Sequence, residues 1–399
     1  MITVSTAVQL IQEQTPQIDC EELGFKHLDG RVLAEDILAK RPQPPFDRVT
    51  MDGIAINSDD WKAMQPEFTL QATQFAGEAA ITLKAGFCIE IMTGAVVPLN
   101  ADCVIPIEQL DKTETGYRIK DAFNSRKHVA PGSNIHYQGS DHLENAVLIP
   151  VNTKLKASHI ACLVSAGYAQ AKVKIQPKIA VVMTGDELVK AGEPIKDHQI
   201  YASNGTALTS LLKMHHYTRV NEFILGDDAK VLTTALQAIL KQHDFVITTG
   251  GVSMGQKDQL PQVFKDLGVT CHFHTVAQKP GKPMWYGTHN KTQVFGLPGN
   301  PVSAMITARR YILTALDNVN GLKRRTQMVR LSEDINFKPA LTYFLPVKIL
   351  YDQEARYAEP VAFNTSGDTV SLTRSDGFVE LDANTVQFNA GDIVRFFPW

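Results

Sequence analysis

Asp244-Phe-Val-Ile-Thr-Thr-Gly-Gly-Val-Ser-Met-Gly-Gln-Lys-Asp258 is typical of a strand, a glycine-rich turn and the start of a helix. Phe245 to Ile247 has the length of a buried strand, and Gly250 and Gly251 allow a sharp turn that lies close to a ligand. Such turns hold anions in open α/β sheets because free backbone N–H groups and the helix dipole face the ligand. A tight turn with no ligand is the alternative for this stretch alone.

The same pattern extends over residues 176–320, where apolar strands alternate with helices. The strands end in Thr184-Gly-Asp-Glu187, Gly226-Asp-Asp228, Gly250-Gly251 and Pro298-Gly-Asn-Pro301. This alternation predicts a doubly wound α/β domain that binds its ligand at the carboxyl ends of the strands. We also expect Asn300 to cap a helix that begins at Pro301.

A chain of 399 residues is too long for a single core, so several domains are expected. The prolines of Arg41–Asp47 indicate a domain boundary. Short helices are predicted around Arg31 to Leu38 and from Ile160 to Val164. The predicted organisation is a multidomain α/β protein with four parts. They are a linking α/β subdomain (1–45 and 136–175, its first helix packing on the α/β domain), a mostly β insert (46–135), the α/β domain (176–320) and a C-terminal β-barrel-like domain (321–399).

Composition excludes several classes of protein. A formal net charge of −3 argues against a nucleic-acid-binding protein. The five cysteines are scattered without a CxxC motif, which suits free thiols in a reducing cytoplasm. We expect a cytoplasmic protein, because the N-terminus lacks a signal-peptide pattern and no apolar run approaches the ~18 residues of a membrane span.

Charged side chains follow several of the predicted strands. Lys279 and Lys282 bracket Pro280-Gly281 and suit a phosphate, although a solvated loop is the alternative. Carboxylates near a phosphate suit Mg²⁺, which bridges both kinds of oxygen. The alternative is that each acid only caps a helix, and this would fully explain Asp227-Asp228. The acidic set is Asp186, Glu187, Asp227, Asp228 and Asp258.

Taken together, the motifs resemble the MoeA-type molybdopterin molybdenumtransferases, which are related to the C-terminal domain of gephyrin. The resemblance runs over essentially the whole chain. The motifs are Pro45-Phe46-Asp47, Met51-Asp52-Gly53, Ile91-Met-Thr93-Gly94-Ala95, Thr184-Gly185-Asp186-Glu187-Leu188, Gly250-Gly251-Val-Ser253, Lys279-Pro-Gly-Lys282-Pro283 and Leu297-Pro298-Gly299-Asn300-Pro301.

The resemblance implies an enzyme that inserts molybdate into the dithiolene of adenylylated molybdopterin and releases AMP with the help of Mg²⁺. It also implies a homodimer whose active cleft lies between the α/β domain of one subunit and the β insert of the other. A molybdopterin adenylyltransferase is the expected protein partner. There are two competing hypotheses. One is a non-catalytic peptide-binding scaffold of the gephyrin type, and the other is an unrelated nucleotide-phosphate enzyme with the same α/β fold.

The family's functional residues transfer by motif. The catalytic set implied by the resemblance is Asp52, Thr93 and Asp141. The substrate- and phosphate-binding set is Thr184, Glu187, Gly250, Gly251, Ser253, Lys279, Lys282, Pro298, Asn300 and Pro301. The metal-binding set is Asp227, Asp228 and Asp258. One departure concerns the last domain, where Pro339–Pro346 lacks the arginine that the family carries and Ser366-Gly367-Asp368 keeps the family serine.

Overall fold

The computed structural model describes residues 1–63, 66–125, 127–252, 258–323, 325–352, 355–362 and 365–399, except for the side chains of residues 62 and 63. The chain forms two compact units. The first comprises Met1–Ala34, Asn152–Lys156 and Gln170–Trp399, and the second comprises Glu35–Val151 and Ala157–Ala169. No helix in the described residues is both long and apolar enough to cross a bilayer.

A six-stranded sheet forms the centre of the first unit. The first four strands pair with one another in parallel. The fifth pairs antiparallel with the fourth, and the sixth pairs antiparallel with the fifth. Most of its residues are buried, as expected for a sheet that is covered on both faces. The strands lie in the order Val220–Leu225, Ile179–Thr184, Phe245–Thr249, Thr292–Leu297, Trp285–His289 and Thr270–His274.

Helices cover both faces of this sheet, and this confirms the predicted doubly wound arrangement. One core joins the sheet to Val4–Glu13, Ser203–Met214, Pro301–Thr307, Leu313–Val319 and the intervening π-helical turn Ala308–Ile312. The other core joins it to Ala229–Gln242 and Leu260–Asp266. The expected start of the latter helix at Asp258 is two residues early, because Gln259 is its N-cap.

The C-terminal part of the first unit is a closed five-stranded barrel, in agreement with the predicted β-barrel-like domain. Its strands are Gln327–Leu331, Thr342–Tyr351, Arg356–Pro360, Gly377–Leu381 and Ile393–Pro398. The short strand Gln278–Lys279 from the α/β region pairs in parallel with Thr342 and Tyr343. The remaining elements of this unit are Cys20–Gly24, Phe25–His27, Gln170–Lys174, Leu188–Val189, Ile200–Tyr201, Ile335–Asn336, Thr369–Thr373 and Gln387–Phe388.

The second unit is built mainly on a mixed six-stranded sheet. The strands lie in the order Cys103–Pro106, Gly53–Ile56, Phe87–Ile91, Glu67–Gln74, Gly116–Ile119 and Leu110–Lys112. Two short pairs lie outside the sheet, Arg48–Val49 with Ile135–His136 and Ile37–Leu38 with Val147–Ile149. Its helical segments are Ser58–Ala63, Ile107–Gln109, Asp121–Phe123 and Ala157–Ser165.

The helix expected around Arg31 to Leu38 is wrong. Leu33 donates its backbone N–H to Thr153 O at 3.0 Å, and Ala34 donates to Lys172 O at 3.0 Å. Ile37–Leu38 is a strand. Because these backbone groups pair with distant segments, tertiary hydrogen bonding overrides the helix propensity of the local sequence.

Candidate functional site

Two glycines shape the turn after the strand Phe245–Thr249. Gly250 and Gly251 have φ angles of +86° and +65°. A Cβ on Gly250 would lie 2.8 Å from Thr184 O, and one on Gly251 would lie 3.1 Å from Thr184 Oγ1. The turn therefore requires glycine, and it lies directly against the end of the neighbouring strand. Ser253, the next predicted ligand, lies outside the described residues.

Thr184 presents a buried hydroxyl beside this glycine turn. The residue is 5% exposed, and its Oγ1 has no hydrogen-bond partner among the residues that the structure describes. Buried hydroxyls normally have partners, so a hydroxyl without one beside a glycine turn is a natural contact for a ligand oxygen. Of the substrate-binding residues predicted from the sequence, Thr184, Gly250 and Gly251 thus lie together.

The acidic residues at the strand ends are electrostatically coupled. Asp186 Oδ1 accepts the Asp227 backbone N–H at 3.0 Å. Partial burial raises the pKa of Asp227, and the negative charges of Asp186, Glu187 and Asp258 raise it further. The Glu187 carboxylate folds over Gly185, where an added Cβ would lie 2.7 Å from Oε2. These carboxylates accordingly favour a nearby positive charge.

Asp228 has a different role from its neighbour. Its Oδ1 accepts the backbone N–H groups of Lys230 and Val231, both at 3.0 Å, and so caps the helix Ala229–Gln242. This carboxylate is committed to the helix, as the capping alternative predicts. No cluster of three metal-ligating side chains occurs within the described ranges. Asp227 and its acidic neighbours nevertheless suit Mg²⁺, which commonly takes one or two carboxylates and completes its shell with water and substrate phosphate oxygens.

Lys279 and Lys282 both line a cavity of about 750 Å³. The Lys279 Nζ lies 5.8 Å from the ring centroid of Phe337, and both lysines are exposed. Pro298 and Asn300 also line the cavity, as do Tyr343 and Ser366 of the barrel region. A concave site with two lysines and few other charges suits an anionic ligand.

The turn from Pro298 to Pro301 lies between this cavity and the glycine turn. A Cβ on Gly299 would lie 3.6 Å from the Gly250 Cα, and Asn204 Nδ2 donates to Gly299 O at 2.7 Å. Asn300 is the N-cap residue of the helix that begins at Pro301, which confirms the predicted helix start. Its side chain makes no capping hydrogen bond, and its Nδ2 donates to Ser366 Oγ at 2.8 Å.

In the second unit, Thr93 holds the carboxylate of Asp52. Asp52 Oδ1 accepts the Thr93 backbone N–H at 2.6 Å and the Thr93 hydroxyl at 2.7 Å. These two hydrogen bonds, the backbone one foremost, hold the pKa of Asp52 below its usual value. A Cβ on the adjacent Gly53 would lie 1.9 Å from Ile105 O, so this position requires glycine. The two predicted catalytic residues Asp52 and Thr93 are therefore in direct contact.

Asp141 belongs to a separate chain of hydrogen bonds. Asp141 Oδ1 lies 2.9 Å from His136 Nε2, and Arg48 Nη2 lies 3.2 Å from His136 Nδ1. Because arginine can only donate, His136 Nδ1 accepts and Nε2 carries the proton given to Asp141. Arg48 and His136 were missed by sequence reasoning. They are opposite each other in a strand pair, which spacing along the chain does not reveal.

The fold and these groups define a class of protein. The first unit is a doubly wound α/β protein with an accessory barrel, and it has a lysine-lined cavity and a group of carboxylates that follow the parallel strands. The second unit presents hydrogen-bonded aspartates on a β scaffold.

Comparison with known proteins gives the family. Residues 2–167 match the MoeA N-terminal region (domain I and II), residues 180–318 match the probable molybdopterin binding domain, and residues 328–399 match the MoeA C-terminal region (domain IV). The chain is 37% identical over 404 residues to the molybdopterin molybdenumtransferase of Synechocystis, with full coverage of both chains. It is 30% identical to the Haemophilus influenzae protein of the same name, covering all of this chain and 99% of the relative.

Solved structures agree with this result. A MoeA molybdopterin biosynthesis protein from Pyrococcus horikoshii is 26% identical and superposes with a TM-score of 0.84, with full coverage of both chains. The chain belongs to the MoeA family of molybdopterin molybdenumtransferases. The predicted role as a transferase of molybdenum cofactor biosynthesis is confirmed, and the gephyrin-type scaffold receives no support from the curated relatives.

Proposed function

We propose that the protein inserts molybdate into the dithiolene of adenylylated molybdopterin and releases AMP in a Mg²⁺-dependent reaction. The cavity shared by Lys279 and Lys282 is the observation that carries this proposal. Adenylylated molybdopterin contains a pyrophosphate, and two lysines beside a glycine turn match its charge. In this proposal the Pro298–Pro301 turn forms the rigid wall of the phosphate site, with Asn300 bound to Ser366.

In the same proposal, the strand ends next to this wall bind the adenylyl side of that pyrophosphate and the metal. Thr184 donates its hydroxyl to a phosphate oxygen, and Gly251 does the same with its backbone N–H, whereas the Gly250 N–H is donated to Leu297 O at 3.2 Å. Asp227 would hold Mg²⁺ together with the phosphate oxygens, and the nearby charges of Glu187 and Asp258 would favour the cation, whereas Asp228 caps the helix Ala229–Gln242. When bound, the metal offsets the repulsion between the two anionic substrates.

Asp52, Thr93 and Asp141 form the catalytic set of the proposal. Thr93 donates two hydrogen bonds to the Asp52 carboxylate, and His136 donates one to Asp141. Molybdate is an anion, so two carboxylates are poor ligands for it. Their proposed role is therefore to position the metal and the attacking group.

The biological setting is proposed from the same family relationship. The protein works as a homodimer in the cytoplasm and receives its substrate from a molybdopterin adenylyltransferase. The chain is divided into the linking subdomain, the β insert, the α/β domain and the C-terminal barrel, with the boundaries given above.

The direct test is AMP release by the purified protein with molybdate, Mg²⁺ and adenylylated molybdopterin. We expect release to require all three, and to fall by roughly a hundredfold in the double variant Lys279→Ala/Lys282→Ala. Lys291→Ala is the matched control, because Lys291 is an exposed lysine of the same unit that is not among the residues lining the cavity. A folded wild-type protein that binds the substrate without releasing AMP would refute the proposed reaction.

A further inference from the structure

The cavity lysines are carried by a loop that is fixed from below by two buried side chains. Gln278 immediately precedes the loop and is fully buried. Its Nε2 donates to Gly281 O at 2.7 Å, across the base of the Lys279–Lys282 loop. Its Oε1 accepts the hydroxyl of Tyr311, which is also fully buried. These three groups link the loop to the helix behind it.

Hydrogen-bonding chemistry fixes the direction of this chain. The carbonyl of Gly281 can only accept, so the amide nitrogen of Gln278 must face it. The amide oxygen of Gln278 then faces Tyr311 and needs a donor. Burial raises the pKa of Tyr311, so the phenol keeps its proton and supplies that donor. Only one orientation of the Gln278 amide therefore gives both of its polar atoms a partner in this chain of hydrogen bonds.

Packing restricts the same loop. Gly281 has a φ of +83°, and a Cβ there would lie 2.7 Å from Thr307 Cγ2 and 3.2 Å from Gln278 Nε2. Tyr311 itself stands in the π-helical turn Ala308–Ile312, a wider turn that is often found near functional sites. On its other side, the loop is tied to the barrel, because Thr342 donates its N–H to Ala277 O at 3.0 Å.

We propose that Gln278 and Tyr311 are positioning residues that hold Lys279 and Lys282 in the orientation that binds the substrate's pyrophosphate. The inference rests on the proposed function of the cavity, and it adds two buried residues, of which Gln278 lines the cavity and Tyr311 lies behind it. A fixed loop loses less conformational freedom when the anion binds, so the clasp formed by Gln278, Tyr311 and Gly281 increases affinity by preorganisation.

The chain contains a matched control for this clasp. Tyr286 donates to Gln293 Oε1 at 2.5 Å, and Gln293 Nε2 donates to Gln14 O at 2.9 Å. This second chain has the same chemistry of tyrosine, glutamine and backbone carbonyl, and its tyrosine and glutamine are also buried. It ends at the C-cap of the first helix, however, and not at the lysine loop.

The test compares Tyr311→Phe and Gln278→Met with Tyr286→Phe and Gln293→Met in the full-length protein. Each pair removes the same groups from a buried chain, so both pairs should lower the melting temperature by similar amounts. Binding of inorganic pyrophosphate, followed by calorimetry, should weaken roughly tenfold in the first pair and change less than about twofold in the second. Equal weakening in both pairs, or none in either, would overturn the proposal.

Amide hydrogen exchange of the peptide containing residues 279–283, measured without ligand, separates this inference from the proposed function. Exchange should be faster in Tyr311→Phe and Gln278→Met, and unchanged in the two control variants. Unchanged exchange in the first pair would refute the clasp, even if wild-type protein binds pyrophosphate. Faster exchange in a protein that does not bind pyrophosphate would support the loop-fixing role and refute the proposed ligand of the cavity.

Discussion

Asp52 and Asp227 each lie next to a glycine, one before a strand begins and the other after a strand ends. Their surroundings nevertheless change their pKa values in opposite directions. Asp52 precedes the strand Gly53–Ile56 and accepts two hydrogen bonds from Thr93, which lower its pKa. Asp227 follows the strand Val220–Leu225 and is partly buried among other carboxylates, which raises its pKa. The first environment stabilises the ionised carboxylate. The second destabilises it, so that a nearby cation would be favourable.

Asp52→Asn should produce the largest effect, because asparagine preserves the shape of the side chain and removes its charge. We expect molybdate-dependent AMP release to fall by roughly a hundredfold or more, since in the proposed mechanism an ionised Asp52 positions the metal and the attacking group, which a neutral amide cannot do. Substrate binding should be preserved. Chromatographic measurement of AMP gives the rate, and calorimetry gives the substrate affinity.

The exposed residue Asp121 lies in the same unit as Asp52, so Asp121→Asn is the control for a general loss of charge. Turnover by Asp52→Asn at the wild-type rate would remove this residue from the catalytic set.

Asp227→Ala addresses the second environment. Removal of this carboxylate should raise the Mg²⁺ concentration needed for half-maximal AMP release by roughly tenfold or more, because the proposed metal site would lose a carboxylate ligand. A metal titration of the AMP-release rate measures this shift. The control is Asp228→Ala, which removes the same charge one residue later and should leave the Mg²⁺ requirement unchanged. Equal shifts in both variants would mean that only overall charge matters.

Asp228→Ala should instead lower stability. Its carboxylate caps the helix Ala229–Gln242 through two backbone N–H groups, and loss of such a cap costs about 1 kcal/mol. Urea unfolding followed by circular dichroism measures the change. Asp228→Asn should retain most of the stability, because asparagine also caps helices. If Asp228→Ala and wild type unfold at the same urea concentration, the cap contributes nothing.

The sequence predicted the features of these regions that depend on local pattern. Apolar runs alternating with helical spacing predicted the doubly wound sheet, and Asn300-Pro301 predicted the start of a helix. The helix-capping alternative is confirmed for Asp228, whose predicted role as a metal ligand stays a prediction. Each of these signals lies within a few residues, where backbone geometry and hydrogen-bond chemistry decide the outcome.

Features that depend on distant pairing could not be predicted. The partner of the Asn300 side chain, Ser366, lies 66 residues away, and Arg48 lies 88 residues from His136. The residues 31–38 have good helix propensity, yet their backbone groups pair with strands elsewhere. The opposite pKa shifts of Asp52 and Asp227 arise in the same way, because the causal neighbours are brought together only by the fold.

Thr93→Val should give the smallest effect, and it tests the cause of the low Asp52 pKa. Valine removes the hydroxyl but keeps the backbone N–H, which is the larger of the two causes. The pKa of Asp52 should therefore rise only part of the way to its usual value. A group with a lowered folded-state pKa stabilises the protein above its unfolded-state pKa, and this contribution is lost as the pH falls through the folded value. The variant should accordingly lose this contribution to stability at a higher pH than wild type.

A ¹³C NMR titration of labelled aspartate carboxyls, with the Asp52 signal assigned through Asp52→Asn, measures the shift in the Asp52 pKa. Thr69→Val, at an exposed strand position, should leave the titration unchanged. An unaltered Asp52 pKa in Thr93→Val would show that the backbone N–H alone lowers the pKa of the carboxyl, and that the Thr93 hydroxyl is available for a ligand.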